Sequence, residues 1–439
     1  MFASKYFGRR LACCIVAILC TVAVGNAQDT YNWPDVRDVS PTEAIKSTSH
    51  PDYPGFPSPL RFFDFENNSV NGADVTSADQ WDNARRPEIA DMVQNYMYGY
   101  LPPAPTNLTG TVLSEDADYF GDGSATRRVI ELNYGPSDTK PAKMNLYIPN
   151  HVTGPAPVMV SLNRNGNDAI EPGGSRAHRW HLENTLERGY ALATVHTSDF
   201  ASDGGSYRDA VITPYAEDGY DGNWKAMGAW AYGISRMVDY LDTDSDVNAD
   251  WTVATGFSRR GKAALLAAAM DERIEMVAPH QSGTGGAHPT RTDWGAGTAY
   301  SHYYPHWFLD EFNALRHDGD DFIDDTDYLP FDQDSVLALV APRLVYLSEG
   351  QAYGASEAGV QALIDSAAPV WELLGYDSAE SLHLAWDSAA SDNNHTFDLD
   401  HWNGILDFAD AQLVPEPTTM ALLGMGGLLA LRRRRRRRA

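Results

Sequence analysis

The sequence predicts an α/β domain: a three-layer sandwich with a mostly parallel sheet and helices on both faces. Two observations carry that class. From about residue 156 onward, short apolar runs of strand length alternate with longer helical patterns, as crossover-connected parallel strands require. Residues 251–262, WTVATGFSRRGK, then join one such run to an Ala/Leu-rich helix through a glycine–serine turn. No internal repeat, long linker or charge block divides the body, so one large domain accounts for its length.

The elements follow in order. Residues 28–80, rich in Pro, Asp and Ser, are expected to wrap the surface. Gln80–Tyr98 reads as a helix with Ile89, Met92, Val93 and Met97 on one side, closed by Tyr98-Gly-Tyr-Leu-Pro-Pro103. Alternating or buried apolar patterns predict strands over 126–134, 142–148 and 156–162. Helix 178–188, strand 190–196, helix 222–241, strand 251–257, helix 262–270 and strand 274–279 come next. After a long insertion stand strand 342–348, helix 356–374, strand 380–386 and helix 400–412. In such a sheet the active site lies at the C-terminal edge of the strands.

Both ends read as processing segments. Lys5, Arg9 and Arg10 precede the apolar run Leu11–Gly25 and then Asn26-Ala27, so residues 1–27 are expected to be a secretory signal cut after Ala27. That run is short for a membrane span. Cys13, Cys14 and Cys20 all fall inside it, which leaves the mature chain no disulfide and no Cys-ligated metal. At the other end, Pro415-Glu416-Pro417, the apolar run Met420–Leu431 and Arg432–Arg438 follow one another. Residues 414–439 thus resemble a PEP-CTERM sorting tail, which implies an exosortase-type processing enzyme as partner and an exported, surface or extracellular product. A plain C-terminal membrane anchor is the alternative. Without the three basic residues of the first segment, and the seven arginines and Glu416 of the last, 23 basic residues face 59 acidic ones, a net of −36. Such a surface disfavours nucleic acid and anionic membranes, and we read it as habitat rather than mechanism.

The glycine–serine turn is the chemical centre of the sequence. In Gly256-Phe-Ser258-Arg-Arg-Gly261 the first glycine permits a sharp turn and the second a close helix approach, which would present Ser258 as a nucleophile. The usual spacing is G-x-S-x-G, and here the second glycine comes one residue late. The Arg259 N–H, at the helix N-terminus, would face a developing oxyanion. A serine nucleophile needs a base and a group to orient it. His395 stands after the last strand, in SDNNHTF, where an α/β-hydrolase carries its base; His383 lies within a strand and His401 opens the final helix. The acidic runs Asp242–Asp250 and Asp318–Asp327 lack the full calcium-loop pattern and read as solvated loops. His178 and His181 lack the HExxH spacing, so neither a metal nor an organic cofactor is implied.

From about Trp81 to Leu413 the chain resembles the glucuronoyl esterases of carbohydrate esterase family 15, most of all their bacterial branch. The matching motifs run in order: Trp81…Arg85-Arg86-Pro-Glu-Ile, Tyr98-Gly-Tyr-Leu-Pro-Pro, Arg188-Gly-Tyr-Ala-Leu-Ala-Thr and Trp230-Ala-Tyr-Gly…Arg236…Asp239-Tyr-Leu. They continue through Gly256–Lys262, Asp271-Glu-Arg-Ile, Ser282–Gly286, Pro305-His-Trp-Phe308, Leu329–Gln333 and Ala341-Pro-Arg343, with Trp402 seven residues after His395. The resemblance implies an α/β-hydrolase fold and a cofactor-free serine carboxylesterase, monomeric, acting on uronate esters of plant or algal polysaccharide. Ser258 would be the nucleophile and His395 the base. Arg259 would serve the oxyanion, and Lys262, Tyr353 and Trp307 would bind substrate. Three family carboxylates are missing: Gln281 stands at one acid position, Gln351 at the other, and Ala296 in place of a uronate-binding glutamate. Tyr353 or Gly354 takes the place of a stacking tryptophan. We therefore expect Glu349, at the end of its strand, to orient His395, with Glu357 as the second choice. A polysaccharide acetyl esterase and a non-catalytic carbohydrate-binding relic are the alternative readings.

Overall fold

A computed structural model describes residues 56–67, 69–137, 139–291, 304–314, 329–352, 355–391 and 394–413. The expected signal, the sorting tail, the acidic run Asp318–Asp327, Ala296, Tyr353 and Gly354 lie outside the described residues. Tyr31–Leu406 forms one compact unit; of the other, the described part is the end of the last helix, from Asp407.

The strands are β1 (Thr109–Asp116), β2 (Ala125–Asn133), β3 (Ala142–Pro149), β4 (Ala156–Asn163), β5 (Ala191–His196), β6 (Val247–Phe257), β7 (Ile274–His280), β8 (Leu344–Gly350) and β9 (Leu382–Asp387). They form one sheet in the order β1-β2-β3-β5-β4-β6-β7-β8-β9. β1, β2, β3 and β5 pair antiparallel, and every pair from β5–β4 to β8–β9 is parallel. This is the mostly parallel α/β-hydrolase sheet that the alternating pattern predicts. β4, β7 and β8 are buried almost throughout, which explains their continuous apolar runs.

Differences from the expected elements have local causes. All residues of β1 are exposed and mostly polar, so no alternation marked it; its backbone pairing with β2 makes it a strand. The helix expected over 178–188 shrinks to α1 (Leu182–Glu187), because His181 adopts left-handed backbone geometry with φ 43°. α2 (Ala226–Leu241) starts after Lys225 rather than at 222 and is buried nearly all round. α3 (Arg259–Met270) begins directly after Ser258, and it packs against β6, β7 and α2. α4 (Glu357–Leu373) is capped by the Ser356 side chain, which accepts from the Gly359 N–H at 3.3 Å. The last helix, α5, spans Leu399–Gln412. Of the acidic run Asp242–Asp250, Asp244 and Asp246 neutralise Arg128, at 3.2 and 2.6 Å.

Packing of α3 fixes the height of the site. Leu265, Leu266 and the surrounding alanines are fully buried, and each buried leucine contributes about 1.5–3 kcal/mol. Gly261 allows the approach: a Cβ there would lie 2.8 Å from the Gly256 carbonyl oxygen and 3.1 Å from Ser282 Cβ. At Gly256 a Cβ would overlap the Arg260 carbonyl. Both glycines of the motif are therefore required by contact, and the late second glycine fulfils the same close-packing demand.

Candidate active site

β6, β7 and β8 end side by side, with Phe257 opposite His280 and His280 opposite Ser348. Their C-terminal ends, the loop after β4 and the loop after β9 enclose a cavity of about 400 Å³. Ser258 lines it, held at φ 60° and ψ −126°, a region that non-glycine residues rarely occupy. Its N–H donates to the His280 carbonyl at 2.8 Å, and its carbonyl accepts from the Gly261 N–H at 2.8 Å. That is elbow geometry: strand hydrogen bonding up to the serine, helix immediately after it, and the serine itself in the cavity lining.

His395 lines the same cavity, with its ring 4.4 Å from the Phe257 ring. Its Nδ1 lies 2.6 Å from Gln281 Oε1. An amide oxygen only accepts, so Nδ1 carries the hydrogen and donates it, and the lone pair is on Nε2. Burial, with Lys262, Arg179, Arg259 and Arg260 around it, pushes the imidazole pKa down to about 4.

The expected partnership of Glu349 with His395 is corrected here. Glu349 Oε1 accepts from the Ser282 N–H at 2.8 Å and from Ser282 Oγ at 2.5 Å. The cause is the turn after β7. Gln281 sits at φ 41°, in the left-handed region, and its N–H donates to the Ser348 carbonyl at 2.7 Å. That turn sends the Gln281 side chain to His395 and the Ser282 N–H to Glu349. Burial pushes the Glu349 carboxyl up to about 7. Glu357 is exposed in the first turn of α4, where an acid suits the helix dipole.

Lys262 is buried, and its ammonium donates to the carbonyls of Ser282 and Thr284. Burial pushes its pKa down to about 7, opposed by Glu349 nearby. Lysine and glutamate thus both hold one turn, Ser282–Thr284. Trp307 lines the cavity but is only 3% exposed, and its ring stacks on Tyr304 at 4.1 Å. The Arg259 guanidinium lies 4.5 Å from the Tyr304 ring centre and 4.6 Å from that of Trp307. It also pairs with Asp203 at 2.5 Å. The other Asp203 oxygen takes Trp307 Nε1 at 3.0 Å and His306 Nε2 at 3.1 Å. Those hydrogen bonds and the Arg259 charge hold the Asp203 carboxyl well below the usual carboxylate range despite burial.

Several of these residues escaped the sequence reading. Asp203 and Tyr304 belong to no motif, and only their contacts with Arg259 reveal them. His280, fully buried, joins three elements: Nε2 lies 2.7 Å from the Thr396 carbonyl and Nδ1 2.7 Å from Ser348 Oγ. A carbonyl cannot donate, so Nε2 carries the hydrogen and Nδ1 accepts from Ser348. The ring also stacks on Phe397 at 4.3 Å, and burial pushes its pKa down to about 3, so it stays neutral. This clamp fixes the residue directly after His395. Its signal in the sequence was adjacency alone, one residue before Gln281.

A serine in a strand–turn–helix elbow, a histidine after the last strand and a mostly parallel sheet define an α/β-hydrolase. Comparison with known proteins narrows the class. The family model described as "Glucuronyl esterase, fungi" matches residues 136–375, and a PEP-CTERM protein-sorting motif matches 413–437. A carbohydrate esterase from an unknown prokaryotic organism is 29% identical over 313 residues, 64% of this chain and 70% of the relative. The 4-O-methyl-glucuronoyl methylesterase 1 of Wolfiporia cocos is 28% identical over 333 residues, 73% of this chain and 72% of the relative. The solved glucuronoyl esterase of Solibacter usitatus superposes with a TM-score of 0.70 at 30% identity, covering 83% of this chain and 98% of that one. The chain belongs to the glucuronoyl esterase family and is a carboxylic ester hydrolase.

Proposed function

We propose that the protein is an exported serine carboxylesterase that hydrolyses (4-O-methyl-)glucuronoyl or related uronate esters of plant or algal polysaccharide. The observation that carries this reading is the meeting of Ser258, in elbow geometry, and His395, in the Nδ1–H tautomer, at one cavity. Ser258 Oγ attacks the ester carbonyl while His395 Nε2 takes its proton. The Arg259 N–H stabilises the oxyanion, and the Arg259 guanidinium adds a fixed positive charge beside it. Collapse breaks the C–O bond, Nε2 returns the proton to the departing alcohol, and an acyl-enzyme remains. Water then adds to it with His395 again as base, releasing the uronic acid and restoring Ser258.

Lys262 has three donors, of which two are committed to backbone carbonyls. The third is available for a uronate hydroxyl. Trp307 acts mainly by bracing Arg259. Tyr353 keeps its assignment as a sugar-stacking residue. On Nδ1 an uncharged amide stands where a triad carboxylate normally stabilises the imidazolium. The sorting motif supports export, cleavage by an exosortase-type enzyme and a final place at the cell surface. Residues 1–27 act as the signal and the tail beyond 413 as a temporary apolar anchor, and the mature enzyme is a monomer.

Release of alcohol from methyl or benzyl glucuronate tests the reading. Ser258→Ala is expected to abolish it, together with covalent labelling by a fluorophosphonate. Persistent hydrolysis in that variant would contradict the mechanism, and a wild-type serine that resists the label would favour a binding protein instead.

A further inference from the structure

The cavity wall formed by the loop after β4 and the start of α3 carries an excess of positive charge that ester hydrolysis does not explain. Arg164, Arg176, Arg179 and Arg260 all line it, beyond Arg259 and Lys262. Arg176 Nε donates to the neutral Asn165 Oδ1 at 3.2 Å, and Arg179 lies over the Phe257 ring at 5.2 Å. Among the described residues none of these four arginines pairs with a carboxylate. Arg179 Nε and Arg260 Nη1 are buried without a hydrogen-bond partner. Burial and the neighbouring cations push the Arg260 pKa down to about 9, and burial with Arg176 beside it lowers that of Arg179.

Such a cluster is costly by itself, since like charges repel and buried guanidinium donors lose water. Scarcity of acids is not the cause: the chain has 60 acidic residues against 33 basic ones. The reacting group does not need the cluster either. An esterified uronate is neutral, and the one oxyanion that forms already has Arg259.

We propose that Arg164, Arg176, Arg179 and Arg260 form a subsite for a second, permanently anionic group of the polysaccharide, a carboxylate or sulfate on a sugar next to the esterified uronate. Guanidinium forks bind both groups bidentately. The overall acidic surface repels a polyanion at a distance, and salt screens that repulsion; inside the cavity the short-range pairing dominates. The preferred substrate is then a densely acidic chain in which only some of the acid groups are esterified. This inference rests on the reading of the Ser258 cavity as an ester site.

The test compares three oligosaccharide uronate methyl esters that differ in one neighbouring sugar: neutral, free uronate or sulfated. Wild type is expected to favour one or both acidic esters by about tenfold in kcat/KM, the scale of one charged hydrogen bond. The better of the two identifies the anion. In Arg176→Gln, Arg179→Gln and the exposed Arg164→Gln this ratio should fall toward one. Equal treatment of the three esters by wild type, or a ratio unchanged in all variants, overturns the subsite. Should no ester be cleaved, the esterase reading fails, and calorimetric binding of the de-esterified acidic oligosaccharides decides the subsite separately. Tighter binding to wild type than to the variants supports it, and equal binding overturns it.

Discussion

The two halves of the site solve the same problem with opposite chemistry. Around Arg259 an ion pair locks the site: Asp203 pairs with the guanidinium at 2.5 Å and holds Trp307 and His306 with its other oxygen. On the His395 side two contacts are neutral: an amide on Nδ1 and an uncharged His280 under the next carbonyl. The contrast teaches where transition-state stabilisation resides. A carboxylate beside the base would favour the imidazolium, whereas in the proposed mechanism the charge sits at Arg259, beside the oxyanion, and His395 acts as a weak base.

Substitutions on the two sides should therefore differ in size. Arg259→Ala removes the fixed cation and is expected to lower kcat by about a hundredfold or more, the usual scale for one oxyanion contact. Steady-state kinetics on benzyl glucuronate would measure it, and a change confined to KM would assign Arg259 to binding alone. On the base side, His280→Phe keeps a ring for the Phe397 stack and deletes both hydrogen bonds. We expect kcat to fall about tenfold with KM nearly constant, because the His395 loop loses its anchor. An unchanged kcat would reduce His280 to core packing.

Glu349 gives the smallest effect. Its carboxylate binds the turn that Ser282 and Gln281 share, so Glu349→Gln, which keeps an acceptor for Ser282, should stay within about threefold of wild type. A loss of several orders of magnitude would restore Glu349 as the orienting acid of the triad.

The sequence made the parallel half of the sheet legible because those strands are buried and apolar, and α3 because two glycines frame its start. β1 stayed hidden because nothing in an exposed polar strand betrays pairing. Ser258 and His395 were legible from chain order. Gln281 was visible only as a missing charge; its hydrogen bond to Nδ1 depends on a left-handed backbone at that residue, which no side-chain pattern encodes. The same turn explains why Glu349, though correctly placed at the end of β8, serves Ser282. The arginine wall was illegible for another reason. Arg164, Arg176 and Arg179 lie some eighty residues or more before Ser258, and only the neighbouring positions of β4 and β6 in the sheet bring them to it.

The amide at Gln281 sets the proton affinity of His395, and the pH dependence of Gln281→Glu measures that effect. In wild type the imidazole pKa is depressed to about 4, so the base form persists to low pH and kcat/KM should fall only as the pH drops through about 4. A glutamate at 281 places a negative charge on Nδ1, which favours the imidazolium and raises the pKa. The acidic limb should therefore move upward by at least about one pH unit, and kcat on the plateau should rise. An acidic limb that stays in place, with kcat unchanged or lower, would show that Gln281 does not act on His395 and would contradict the account.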